Sequence, residues 1–221
     1  MLYKPHRCDN VKRLLMIRRH DKGQTPSPHM VTKPLDEKPG HHLVLGKLVD
    51  FITNKIIPDT HDERYRQRIA RLLVTSKQYR KDEVISRQQL IVDTGERRGR
   101  LNIDFQVRLN GRVGMVIQYG PGSLTTRHRP GLAIARLATS YQIPVVVVTN
   151  GEAADILEGK TGHRVASGLD AIPDRQQLIY QIQHASWEPL GRRRAQMEAR
   201  ILYCFEIDGR CACDDTACQL E

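Results

Sequence analysis

Aromatic residues are scarce in this chain of 221 residues, which holds seven Tyr, three Phe and one Trp. Any core must therefore be built mainly from aliphatic side chains. Long hydrophobic runs are missing too, and nothing approaches the roughly 20 apolar residues that cross a bilayer as a helix. A membrane-spanning role is not expected. The opening MLYKPHRCDNVKRLLMIRRH is basic but lacks a long apolar centre and a small-residue cleavage site, so a secretory signal is not expected either. Cysteine is sparse and odd in number: there are five, four of them after residue 200. That is not the spacing of a secreted disulfide framework, and a reducing cytoplasm is the simpler expectation. Acidic charge is in deficit, with 25 Asp and Glu against 35 Lys and Arg and a net charge of +10. Such a balance favours polyanionic partners, with a merely solvated basic surface as the alternative.

Half of that excess lies in residues 1–42, where nine Lys and Arg face four Asp and Glu. Pro26, Pro28, Pro34 and Pro39 deny this stretch a continuous helix, and it has little apolar side chain to offset ordering. It reads as a mobile basic arm. A folded domain over residues 43–170 and a C-terminal stretch over 171–221, helical and carrying cysteines, complete the expected organisation.

The domain is organised around residues 100–151. Ile103, Phe105 and Val107 alternate with Asn102, Asp104, Gln106 and Arg108, the period of a half-buried strand. Asn110 and Gly111 make a strong hairpin signal, since both tolerate positive φ. The return strand runs to Gln118 and is broken by Gly120-Pro121-Gly122. Pro130 suits a first helical turn. Ile134, Leu137, Ala138 and Tyr141 then form one apolar helical stripe. Residues 145–148 are all valine, as expected of a strand buried on both faces. Strand, helix and strand in this order imply two parallel strands.

Before this unit, Thr60 and Glu63 have capping-box spacing, so a helix should start there and fade near Ser76. Tyr65, Ile69, Leu72 and Leu73 supply its inward stripe. A strand is expected over 84–92, and short strands near 155–157 and 164–166. Gly159-Lys160-Thr161 lacks the earlier glycine of a phosphate-binding loop, because Ala154 stands there, and reads as a tight turn. Helices are expected over 173–185 and about 190–205, the latter anchored by Met197, Ile201 and Leu202.

In its order of elements the chain resembles PD-(D/E)XK nucleases. Residues 59–158 more narrowly resemble the N-terminal nuclease-like domain of type I restriction enzyme R subunits. The resemblance is carried by Asp62-Glu63-Arg64-Tyr65-Arg66 on the first helix, Asp104, Gln118 and VVVVTNG. The stretch YGPGSLTTRHRP is similar to a bacterial subgroup that stands alone. The implied fold is α/β: a restriction-endonuclease-like core with a mixed central sheet flanked by helices.

The resemblance further implies an acidic pair holding Mg²⁺, which polarises a phosphodiester and activates water. Asp104 matches the first acid. Gln118 stands at the second and brings an amide oxygen but no charge. Gly120 stands where the assisting lysine belongs, and Glu63 corresponds to a first-helix acid. Arg127 and Arg129, at the start of the second helix, are candidates to stabilise charge in place of the lysine.

Each residue also has an ordinary explanation. Asp104 can pair with a helix arginine, Glu63 can serve only as a cap, and Gln118 can be an edge hydrogen-bonder. The preferred reading is a cytoplasmic, nucleic-acid-associated protein with a degenerate nuclease centre. Arg64, Arg68, Arg97, Arg98, Arg127 and Arg129 would contact DNA phosphates, and oligomerisation is open. One alternative is an active Mg²⁺-dependent endonuclease using Glu63, Asp104 and Gln118. Another is a protein-interaction scaffold whose Cys204, Cys211, Cys213 and Cys218 hold Zn²⁺.

Overall fold

The computed structural model describes residues 43–208 and 217–220. The expected arm of residues 1–42, and Cys211 and Cys213, lie outside the described residues. Chain order begins with a two-stranded hairpin, β1 (Gly46–Val49) and β2 (Ile56–Asp59), which leads into helix α1 (His61–Arg71). Then come β3 (Val84–Asp93), β4 (Arg98–Leu109), β5 (Arg112–Tyr119), α2 (Thr125–Leu137) and β6 (Val145–Thr149). β7 (Ala154–Glu158), β8 (Arg164–Ser167), α3 (Arg175–Gln183), α4 (Arg192–Leu202) and β9 (Ala217–Leu220) complete it.

The main sheet runs β3-β4-β5-β6-β7-β8, and β9 pairs with the first part of β4. β5 and β6 are parallel, while every other neighbouring pair is antiparallel. The β4–β5 turn places Asn110 at φ 50° and Gly111 at φ 78°, the left-handed pair that its sequence favours. One extra residue in β5, Gly114, makes a bulge where the register slips between Val107 and Arg108.

Two apolar layers cover the sheet. Ile69, Ala70 and Leu73 of α1 and Leu178 and Ile182 of α3 share one core with Val145 and Val147. Leu132, Ala133 and Ile134 of α2 and Ala199 and Leu202 of α4 share the other with Val146. The four valines of β6 are thus enclosed from both sides, and each fully buried one contributes roughly 1.5–3 kcal/mol. The fold is the expected mixed sheet flanked by helices.

β4 breaks its own alternation. Phe105, Val107 and Leu109 face the first core, whereas Leu101 and Ile103, of the same parity, belong to the second. The change of side falls at Asp104. Opposite it on β3, Arg87 adopts φ 53° and drops out of the pairing register.

Three local expectations need correction. Thr60 Oγ1 caps α1 by accepting from the Glu63 N–H at 3.1 Å, but the Glu63 carboxylate does not return to the cap. It turns inward to charged partners, which bind it more strongly than one backbone N–H. α2 starts at Thr125, so Pro130 sits inside the helix rather than in its first turn. The carbonyl that Pro130 leaves unbonded belongs to exposed Thr126, within reach of water. Met197 does not anchor α4. It is exposed, and Glu198, Ala199 and Leu202 form the buried face, because arginines of α2 draw Glu198 inward.

The Gly159 turn carries a strict steric requirement. Its N–H donates to the Pro144 carbonyl at 2.8 Å, and a Cβ would lie 1.8 Å from the Ile143 carbonyl oxygen. Gly159→Ala is expected to cost about 2–4 kcal/mol and lower the melting temperature by roughly 5–15 °C. An unchanged thermal transition would contradict this packing.

Candidate functional site

The site gathers where β5 ends beside β6, the C-terminal end of the parallel pair and a common place for ligands in α/β folds. Asp104 is buried there, and both of its carboxylate oxygens are engaged. Oδ1 accepts from Arg66 Nε at 2.5 Å, and Oδ2 accepts from the Tyr119 backbone N–H at 2.7 Å. Gln118 turns back on the same strand pair, its Oε1 accepting from the Asp104 N–H at 3.4 Å.

Arg66 also links the two acids that sequence reasoning placed together. Its Nη1 lies 3.9 Å from Glu63 Oε2, one helical turn away on α1. Its guanidinium stacks over the Tyr119 ring at 5.1 Å. Burial works against the Arg66 charge, but Asp104, Glu63 and Asp62 outweigh it and hold the guanidinium protonated beyond its ordinary range. The Tyr119 hydroxyl donates to Asp62 at 3.0 Å, and burial together with that carboxylate pushes its pKa up.

A second half of the network reaches the β1–β2 hairpin. Glu63 Oε1 accepts from Gln67 Nε2 at 2.8 Å and from Arg87 Nη2 at 2.5 Å. Arg87 also donates to Asp50 at 3.1 Å, and Gln67 to Asp50 at 2.9 Å. The Gln67 carbonyl in turn accepts from the Phe51 N–H at 2.7 Å. Burial raises the Asp50 pKa, but donors from Thr53, Gln67 and Arg87 outweigh it and hold the carboxyl below its ordinary range. The left-handed backbone of Arg87 is costly for a non-glycine residue. It is offset by the two charged hydrogen bonds that this conformation aims inward.

The site thus unites Glu63, Asp104 and Gln118, but with guanidinium cations among them. For Mg²⁺ this donor set fits poorly as arranged. A cation would have to displace Arg66 from Asp104, and Gln118 brings no charge in exchange. Among the described residues no group of three or more His, Cys, Asp or Glu converges as a metal site. Gly120, where the resemblance led to the expectation of a lysine, is covered by Arg127. A Cβ there would lie 2.8 Å from the Arg127 guanidinium carbon.

The nominated arginines are scattered, and most are already paired. Arg64 forks Asp59 at 2.7 and 2.8 Å. Arg97 meets Asp208 at 3.6 Å and Arg98 meets Asp93 at 3.4 Å. Arg127 reaches Glu206 at 3.3 Å and Arg129 reaches Glu198 at 2.5 Å, so both lean on the segment at and after α4. Arg68 lies over the Tyr65 ring. Of the cysteines, Cys204 is exposed, and half-buried Cys218 accepts from Arg100 Nε at 2.9 Å.

Asp50, Arg66, Gln67 and Arg87 were not nominated from sequence. Arg66 and Gln67 lie three and four positions after Glu63, the spacing that places side chains on one helical face, and that signal was readable. Asp50 and Arg87 carried no such signal. Nearby, His128 and Ser167 both hydrogen-bond Asp155, each at 2.7 Å. The acid therefore sits between them, and the serine has no base to activate it.

Two outcomes test this network. Arg66→Met leaves a buried carboxylate unpaired and is expected to cost about 3–5 kcal/mol, much of it recovered in Arg66→Met/Asp104→Asn. Additive losses in urea titrations would show that the two residues are uncoupled. The folded pKa of Asp50 is lowered, so its stabilisation is complete above about pH 4 and lost as pH falls through the folded value. The stability gap between wild type and Asp50→Asn should narrow below about pH 4, and a gap constant with pH would contradict the assignment.

Residues 61–173 match the family model described as Type I restriction enzyme R protein N terminus. The match begins at the first residue of α1, ends just before α3, and contains Glu63, Arg66, Asp104 and Gln118. Searches of curated proteins and of solved structures gave no match. With just over half of its length matched, the chain belongs to the Type I restriction enzyme R protein N-terminus family.

Proposed function

We propose that the chain is a nucleic-acid-associated member of this family whose nuclease centre has been converted from a metal site into a closed ion-pair network. The observation that carries the reading is the Asp104 carboxylate, filled on one oxygen by Arg66 and on the other by the Tyr119 N–H. A guanidinium supplies positive charge without supplying a Lewis acid or a bound water to deprotonate. Gln118 removes the second acid, and Gly120 removes the assisting lysine. Each such loss removes a few kcal/mol of barrier lowering, together on the order of 10³-fold or more in rate. What persists is a rigid α/β platform with a positive balance, suited to holding a polyanion rather than cutting it.

An active Mg²⁺-dependent endonuclease is the second reading, favoured by the convergence of Glu63 and Asp104 on one point. Plasmid nicking with Mg²⁺ or Mn²⁺ separates the two. The proposal predicts no cleavage beyond that of Asp104→Asn prepared in parallel. Metal-dependent nicking in the wild type that Asp104→Asn abolishes would overturn it and establish the endonuclease. Duplex DNA is expected to bind with affinity that falls steeply as salt rises, because phosphate contacts release counterions. Binding that is absent at low salt, or indifferent to it, would reject the nucleic-acid role.

A further inference from the structure

Most arginines nominated from sequence are tied to carboxylates, so the free positive charge lies elsewhere. It concentrates at the start of α4. Arg192, Arg193 and Arg194 occupy the first three helical positions, after Gly191, which provides no side-chain cap. With Arg129 of α2, Met197 and Glu198, they line a depression of about 640 Å³.

The arrangement runs against helix electrostatics. The N-terminal end of a helix is its positive end, and a basic side chain there costs roughly 0.3–1 kcal/mol. α1 obeys the rule, with Asp62 and Glu63 in its first turn and Arg68 and Arg71 in its last. α4 has three arginines and no acid in the same place. Its first helical hydrogen bond is donated by Ala195 to the Gly191 carbonyl, so the N–H groups of Arg192, Arg193 and Arg194 precede the ladder. Nothing in folding alone favours this combination.

Glu198 is the one acid lining the depression, and its charge is spent. It is 2% exposed and receives Arg136 Nη1 at 2.8 Å and Arg129 Nη1 at 2.5 Å, with Arg194 at 3.8 Å. Arg192 and Arg193 meet no carboxylate among the described residues. Behind Glu198, Arg136 is only 4% exposed, and its Nε has no hydrogen-bond partner. Burial lowers the Arg136 pKa, and the nearby Arg194 and Arg129 push it the same way. Three guanidinia thus share one carboxylate, and those of Arg192 and Arg193 line the same concavity beside a row of open backbone N–H groups. Phosphate oxygens match both kinds of donor.

We infer that the arginine-lined depression at the start of α4 binds phosphate groups and is the principal phosphate-contact site for the nucleic acid. Arg192 and Arg193 are its main contacts, and Arg129 and Arg194, held by Glu198, form its wall. The site lies outside the family-matched residues 61–173 except for Arg129. The assignment of nucleic acid as the ligand rests on the reading in the preceding subsection. The phosphate chemistry does not.

The test is fluorescence anisotropy with labelled single-stranded and duplex DNA of about 20 nucleotides, over a KCl series. Wild type is compared with Arg192→Gln/Arg193→Gln and with a control, Arg80→Gln/Arg164→Gln, two arginines paired with Asp82 and Asp155. Both pairs are exposed, and thermal melts verify folding. The α4 variant should bind at least tenfold more weakly, with the slope of log affinity against log salt reduced by about 1.8 on duplex and about 1.4 on single-stranded DNA. The control should change less than about twofold. Equal affinities for wild type and the α4 variant would overturn the site while leaving nucleic-acid binding intact. A parallel arm measures thermal stabilisation by inorganic pyrophosphate. Stabilisation of wild type but not of the α4 variant, with no DNA binding by either, would keep the phosphate site and remove the nucleic-acid reading. No response to DNA or to pyrophosphate would overturn both.

Discussion

A half-buried guanidinium set against a buried carboxylate, Arg66 on Asp104, is the interaction around which the site is built. Burying either charge alone would cost several kcal/mol, so the pair is formed together or not at all. Its formation ties α1 to the point where β4 changes sides and to the last N–H of β5. Helix, central strand and the parallel strand pair are thereby fixed in one register. The same guanidinium lies over the Tyr119 ring, and Tyr119 stacks on Tyr65 at 5.8 Å, so an aromatic wall shields the pair from water. Few aromatics are present in the chain, and these two are placed where they lower the local dielectric.

The rest of the polar network follows from that constraint. Once Arg66 is committed to Asp104, Glu63 needs a second cation, and Arg87 provides it from β3 in a strained backbone conformation. Arg87 and Gln67 then both reach Asp50, which closes the network against the β1–β2 hairpin. Aliphatic side chains fill both faces of the sheet around it. A polar cluster this well satisfied contributes specificity of register, whereas the two apolar layers contribute most of the stability.

Much of the architecture was legible because it rests on local patterns. The alternation before Asn110-Gly111, the unbroken valines of β6 and the Thr60 cap each dictate an element without help from the rest of the chain. Glu63, Asp104 and Gln118 were legible as a group through their order along the chain. Their partners were less so. Arg87 acts through a left-handed backbone that β-strand periodicity does not announce, and Asp50 comes from a hairpin whose short strands carry little pattern. Charge proved legible in total and illegible in position. A run of arginines looks the same whether each is met by a carboxylate, as Arg64 and Arg98 are, or left facing a concavity, as Arg192 and Arg193 are. Met197 misled for a related reason. Helical spacing marks a face, but the buried face of α4 was decided by Glu198 and the arginines of α2.

Membership in the Type I restriction enzyme R protein N-terminus family and an acid site closed by arginine meet in one stretch of the chain, residues 61–173. Together they describe a family scaffold whose central carboxylate is met by a guanidinium and a backbone N–H. The most direct measurement is a crystal structure determined with millimolar Mn²⁺, read by anomalous scattering. Arg66 should be found on Asp104 with no anomalous peak between Asp104 and Glu63. A peak bound by both carboxylates, with Arg66 swung away, would contradict the account.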